Sequence, residues 1–132
     1  MKLKWLLMGL IATTIIIMSA CSSLPNNVSV DASSSGKRVE VFVGSSFTVT
    51  LDSNATTGYS WELKEISNPA VLEKTDNKYE APTSGLMGAG GKEVWTFKVL
   101  KAGTSTLTME YSQPWAGGQK GANSFNVTVM VK

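Results

Sequence analysis

The sequence predicts an all-β protein, an immunoglobulin-like antiparallel β-sandwich of about seven strands. Three observations predict it. From Arg38 onward apolar residues recur with a period of two. No stretch carries a helical stripe for three turns, and Gly, Asn and Pro punctuate the apolar runs. A period of two sends alternate side chains to opposite faces, so that one face can be buried while the other stays wet.

The strands follow in order. Val39, Val41 and Val43 alternate with Arg38, Glu40 and Phe42, and Gly44 ends this first run. Phe47, Val49 and Leu51 mark the second; Tyr59, Trp61 and Leu63 mark the third, which Asn68-Pro69 closes. Val71-Leu72 with Lys78-Tyr79 predicts a shorter, less regular edge strand. Trp95, Phe97 and Val99 define the next. Gly103 precedes a strand carrying Leu107, Met109 and Tyr111, and Phe125, Val127, Val129 and Val131 define the last. Short strands with such turns pack as two layers, a small closed barrel being the alternative. A tryptophan on the third strand suits an immunoglobulin-like sandwich. Cys21 is the single cysteine, so no intramolecular disulfide is possible. The core must hold by burial, each large side chain contributing about 1.5–3 kcal/mol.

The N-terminal part reads differently. Met1-Lys2-Leu3-Lys4 is a basic start, Trp5 to Met18 is apolar, and Met18-Ser19-Ala20 leads into Cys21. Residues 1–20 are expected to be a lipoprotein signal peptide, because the apolar run is too short and wrongly flanked for a stable spanning helix. The small residues before Cys21 are similar to a bacterial lipobox, with Met18 where Leu is usual. That resemblance implies acylation of Cys21 and an anchor in the lipid bilayer. A plain export signal with an incidental cysteine is the alternative. Residues 21–37, rich in Ser, Asn and Gly, are expected to be a flexible tether, and residues 38–132 the folded domain. The expected location is the cell envelope, outer membrane or cell surface, facing outside the cytoplasm.

Composition excludes whole classes of chemistry. There is no histidine, so no Ser/His/Asp triad, Cys/His dyad or His-based metal site can form. No metal or cofactor is expected, and no catalytic residues. Of 12 Lys and Arg against 10 Asp and Glu, Lys2 and Lys4 belong to the leader, which leaves the rest balanced. A neutral domain without a basic stripe is a poor nucleic-acid binder. The domain is expected to be a monomer.

Three loops carry the remaining information. Asn54-Ala55-Thr56-Thr57-Gly58 joins the second and third strands; Asn and Gly supply positive φ, and two threonines make a narrow uncharged tip. The second loop, Glu80 to Lys92, contains Gly85-Leu86-Met87-Gly88-Ala89-Gly90-Gly91. Its glycines bare backbone that can exchange hydrogen bonds with another protein, and Leu86 and Met87 want an apolar partner. It is neither a Rossmann nor a Walker signature. The third, Gln113 to Asn123, sets Trp115 after Pro114. That tryptophan either covers the end of the core or anchors an interface.

Taken together, in this order and strand context, the three runs resemble the chagasin family of cysteine-peptidase inhibitors. That family's pattern is Asn-Pro-Thr-Thr-Gly-aromatic, then Gly-x-Gly-Gly, then Arg-Pro-Trp. Here they stand as Asn54 to Tyr59, Gly88 to Gly91 and Gln113-Pro114-Trp115, with Glu93-Val94-Trp95-Thr96-Phe97 following the second. The resemblance spans the domain from about Arg38 onward. It implies a reversible proteinaceous inhibitor of papain-like cysteine peptidases. Asn54, Thr56, Thr57, Gly58 and Tyr59 would build a wedge over the catalytic cysteine. Met87, Gly88, Gly90 and Gly91 would lie along one cleft wall, and Pro114 and Trp115 on the other. Two departures bear on strength and target range. Ala55 replaces proline, at a cost in preorganisation of about 0.4–1 kcal/mol, and Gln113 replaces a charged, planar arginine with a neutral amide. A lipid-anchored immunoglobulin-like surface or envelope interaction module, with no peptidase target, is the alternative from another class.

Overall fold

The computed structural model describes residues 27–132; the expected leader, Cys21 and the first part of the tether lie outside the described residues. In chain order the strands are β1 (Asn27–Val30), β2 (Lys37–Val41), β3 (Ser46–Ser53), β4 (Ser60–Ile66), β5 (Leu72–Glu80), β6 (Gly91–Val99), β7 (Gly103–Ser112) and β8 (Asn123–Val131). They form two four-stranded sheets, ordered β1-β3-β6-β5 and β2-β8-β7-β4. The inward faces carry the residues that the period-two pattern marked. Phe47, Val49, Leu51, Trp95, Phe97 and Val99 of one sheet meet Leu107, Met109, Phe125, Val127 and Val129 of the other, all buried. Phe47 and Phe97, cross-strand neighbours, sit with ring centroids 6.3 Å apart.

The architecture departs from the expected one in four places. The sheets are mixed, not purely antiparallel: β1 runs parallel to β3, and β2 parallel to β8. Side-chain alternation is the same in either direction, so the pattern could not reveal this. The supposed tether folds from Asn27: β1 pairs with β3, and a single 3-10 turn, Ala32–Ser34, capped by Asp31, carries the chain across to β2. Val28 and Val30 pack on the core. Val43 falls outside β2 and is half exposed. Finally, β5 is a full nine residues, irregular only where its register shifts between Lys74 and Asp76. Only its first residue is buried. The exposed charges along this sheet edge discourage pairing with other chains.

Strand registers fix where the loops emerge. Ser53, ending β3, lies opposite Gly91, which begins β6; Glu80, ending β5, lies opposite Lys92. In the second sheet Ser60 lies opposite Ser112, and Tyr111 opposite Asn123. All three loops therefore leave from one end of the sandwich. The start of β1 lies at the other end, where Asn27 pairs with Ser46, the first residue of β3.

Candidate functional site: a three-loop edge

The first loop is a single 3-10 turn over Ala55–Thr57. Asn54 does not take the positive φ expected of it; it caps the turn from an extended conformation. Its side-chain oxygen accepts from Thr56 N at 3.1 Å and from Thr56 Oγ1 at 2.6 Å. An N-cap of this kind is worth about 1 kcal/mol. Thr57 Oγ1 donates to the Asn54 carbonyl at 2.7 Å, and Gly58 leaves the turn with φ +79°. The loop's shape thus comes largely from its own side chains.

Two contacts join this loop to its neighbours. Asn54 Nδ2 donates to the Gly88 carbonyl at 3.0 Å, tying the first loop to the second. The Trp115 ring lies against Gly58, where an added Cβ would fall 2.5 Å from Trp115 Cη2. Gly58 is therefore needed twice, for its φ and for the indole that covers it. Trp115 remains 49% exposed, so it neither plugs the core nor stands free.

The third loop is braced from inside. Gln113 N donates to the Gln119 carbonyl at 2.8 Å, and Gln119 N donates to Gln113 Oε1 at 2.9 Å. Lys120 Nζ donates to the carbonyls of Gln113 and Trp115. The amide of Gln113 thus closes its own loop. Tyr59 OH donates to Gln119 Oε1, and the Tyr59 ring stacks at 5.3 Å from Tyr111. Tyr111 in turn accepts Asn54 N at 3.0 Å.

The second loop is the loosest. Leu86 is 70% exposed and Met87 wholly so; the loop is tied to its neighbour through the Gly88 carbonyl and closed on itself by a turn bond from Ala89 N to Leu86 O of 3.3 Å. Gly90 is exposed beside Ser53 and Asn54, whereas Gly91 is buried at the start of β6. A Cβ at Gly91 would come within 2.2 Å of the Glu80 carbonyl. Gly91, expected to lie along the cleft wall, is a packing position, and Gly88 and Gly90 are the exposed glycines of this run.

Beneath the loops lies a polar group that sequence reading missed. Glu93, buried in β6, accepts Ser53 Oγ at 2.6 Å and Trp61 N at 2.9 Å on the same oxygen. The signal was present: Gly91, Glu93, Trp95, Phe97 and Val99 share one parity, and that parity faces the core. The tips themselves are uncharged. Residues 54–58, 88–90 and 113–118 contain no titratable side chain. Charges flank them: Asp52 beside Lys92 holds that ammonium above its ordinary pKa, and Lys64 beside Glu62 holds that carboxyl below its own. Among the described residues no group of three or more acidic, Cys or His side chains could hold a metal.

A rigid β-sandwich that presents three mutually braced, uncharged loops at one end, with an exposed tryptophan and bare glycine backbone, is a protein-binding module. Comparison with known proteins gives the class its family. Residues 40–129 match the model of the chagasin family peptidase inhibitor I42, and the chain belongs to that family. It is 36% identical over 96 residues to chagasin of Trypanosoma cruzi, covering 70% of this chain and 86% of that one. Its fold is similar to the crystal structure of a cysteine protease inhibitor from Entamoeba histolytica, with a TM-score of 0.68 and 20% identity, over 80% of this chain and 95% of the other. It is also similar to PbICP-C, solved in complex with falcipain-2, with a TM-score of 0.59 and 22% identity, over 84% of this chain and 93% of that one.

Proposed function

We propose that this protein reversibly inhibits papain-like cysteine peptidases by closing the active-site cleft with its three-loop edge. The carrying observation is the pair of braces on the first loop, Asn54 to Gly88 and Gly58 to Trp115, which makes one continuous surface of three loops. Thr56, Thr57 and Gly58 enter the cleft over the catalytic cysteine. Gly88 and Gly90 offer backbone to one wall, with Met87 beside them, and Pro114 and Trp115 meet the other. A 3-10 turn presents no extended peptide in a substrate register, so the peptidase has no bond to cut. Because the first and third loops are braced before binding, little further entropy is lost there on association. The solved pairing of the related PbICP-C with falcipain-2 supports this reading. Titration of papain with the domain tests it. Full, dilution-reversible loss of turnover at a one-to-one ratio is expected, and undiminished turnover at micromolar inhibitor would refute it.

We propose further that Cys21 is acylated and holds the domain on an envelope membrane, as a monomer. The support is the lipobox-like run before Cys21, together with the position of Asn27 at the end of the sandwich away from the loops. Metabolic labelling with a fatty acid should mark the full chain and fail in Cys21→Ala. Equal labelling of both would exclude this anchor.

A further inference from the structure

Glu93 is a carboxyl group on a core-facing position, between a buried glycine and a buried tryptophan on the same face of β6. None of the four ion pairs among the described residues includes it. If packing were the only demand, an apolar side chain would fill this place at lower cost, because a buried acid must be compensated by hydrogen bonds. The bonds it makes are specific. Ser53 is the residue from which the first loop departs, and Trp61 lies just past its return. Ser53 belongs to one sheet and Trp61 to the other. The amide of Trp61 lies in β4, at a sheet edge, and it points to Glu93. Both donors converge on one carboxyl oxygen, so the two stems of the loop are held within one group's reach across the interface between sheets. Glu93 also stands two residues after Gly91, where the second loop rejoins the sheet.

We propose that Glu93 is a positioning residue of the inhibitor: it sets the separation of the two stems of the first loop and couples that loop to the second, without touching the peptidase. The inference rests on the reading of the three-loop edge as the peptidase-binding surface. A parallel tie, from Trp61 Nε1 to the Asp52 carbonyl at 2.9 Å, also crosses between the sheets. Loss of Glu93 should therefore loosen the wedge without unfolding the sandwich.

The test compares Glu93→Leu, Glu93→Gln and a core control in the opposite sheet, Val129→Ala, by amide hydrogen exchange of the free proteins and by papain inhibition. In Glu93→Leu the amides of Thr57, Gly58 and Trp61 should exchange at least ten times faster, while those of Val127 and Val129 change little. Papain inhibition should weaken by tenfold or more. Glu93→Gln, which retains an acceptor oxygen in the same place, should restore both to within about threefold of the parent. Val129→Ala should not single out the first loop in exchange and should leave inhibition by the folded protein unchanged. Should Glu93→Leu fail to fold, Ser53→Ala removes one of the two donors and should raise exchange at Trp61 and weaken inhibition about threefold. Uniformly faster exchange in Glu93→Leu would reduce Glu93 to general stability and overturn the proposal. Unchanged loop exchange in Glu93→Leu, or in Ser53→Ala if the first does not fold, would overturn it as well. The exchange readout needs no peptidase. A parent protein that fails to inhibit papain would therefore count against the proposed function and leave the exchange result to decide the role of Glu93.

Discussion

The first and second loops sit side by side on the same edge but are built on opposite principles. The first is tied at every turn: Asn54 caps it, Thr57 bonds back to Asn54, Trp115 lies on Gly58, and Glu93 grips both stems. The second presents Leu86 and Met87 to solvent with one side-chain bond linking it to the neighbouring loop. On the proposed function, the difference separates two tasks. A wedge that must fill a fixed catalytic cleft gains from being rigid beforehand, because ordering costs are then met in folding. A flank that meets variable cleft walls can tolerate adjustment, and an unbranched methionine adapts readily.

The comparison can be broken most severely at Gly58. Gly58→Ala combines a strained positive φ with a collision against the indole, so papain inhibition should weaken about 100-fold, roughly 3 kcal/mol. Trp115→Ala should cost at least about 2 kcal/mol, near thirty-fold, with thermal unfolding of the domain little changed, since half the ring is already in solvent. Comparable potency in both variants and the parent would mean that the edge is not the contact surface. Asn54→Ala removes the cap and the tie to Gly88 together. It should lower Tm by a few degrees and weaken inhibition about tenfold. Met87→Ala sharpens the contrast from the other side. Tm should stay unchanged because Met87 is wholly exposed, while inhibition falls about threefold to tenfold, by different amounts for different papain-like enzymes.

The smallest effect concerns pH. Asp31 is held below its ordinary pKa by hydrogen bonds from Ser33, and Glu62 by Lys64. Their contributions are present above the usual carboxylate range and disappear as pH falls through the lowered values. Lys64, beside Glu62, and Lys92, beside Asp52, are held above their ordinary values. Their contributions are present below the ordinary lysine pKa and fade as pH rises through the raised ones. Asp31, Lys64 and Lys92 are exposed and Glu62 is only partly buried, so the stabilisation is slight. With no histidine in the chain, Tm measured across pH should be flat from about 5 to 9, and the contact loops should add no pH dependence of their own to inhibition.

How much of this was legible in the sequence follows from the physics of each feature. Alternation in β3, β6, β7 and β8 is strong because one face is buried along most of each strand, and these strands lie where expected. β5 has no such face beyond Leu72, so its two ends were visible and its continuity was not. Strand direction leaves no trace in alternation, which is why the two parallel pairings went unforeseen. The loops were legible as motifs in order. Their bracing was not, because Asn54, Trp115 and Gln119 meet only in three dimensions. Glu93 and Gly91 stood on the core parity of β6 all along, but a charged residue and a glycine beside a glycine-rich loop look like surface.

The course of β1 has a practical consequence. Asn27 begins this strand beside Ser46, and Val131 ends β8 opposite Gly103, at the same end of the sandwich and a full strand length from Thr56 and Thr57. A handle joined ahead of Asn27 or beyond Lys132 therefore meets the molecule from behind. A bead, a surface or a fused partner could be attached at either point while the three loops stay free to meet an enzyme arriving from solution.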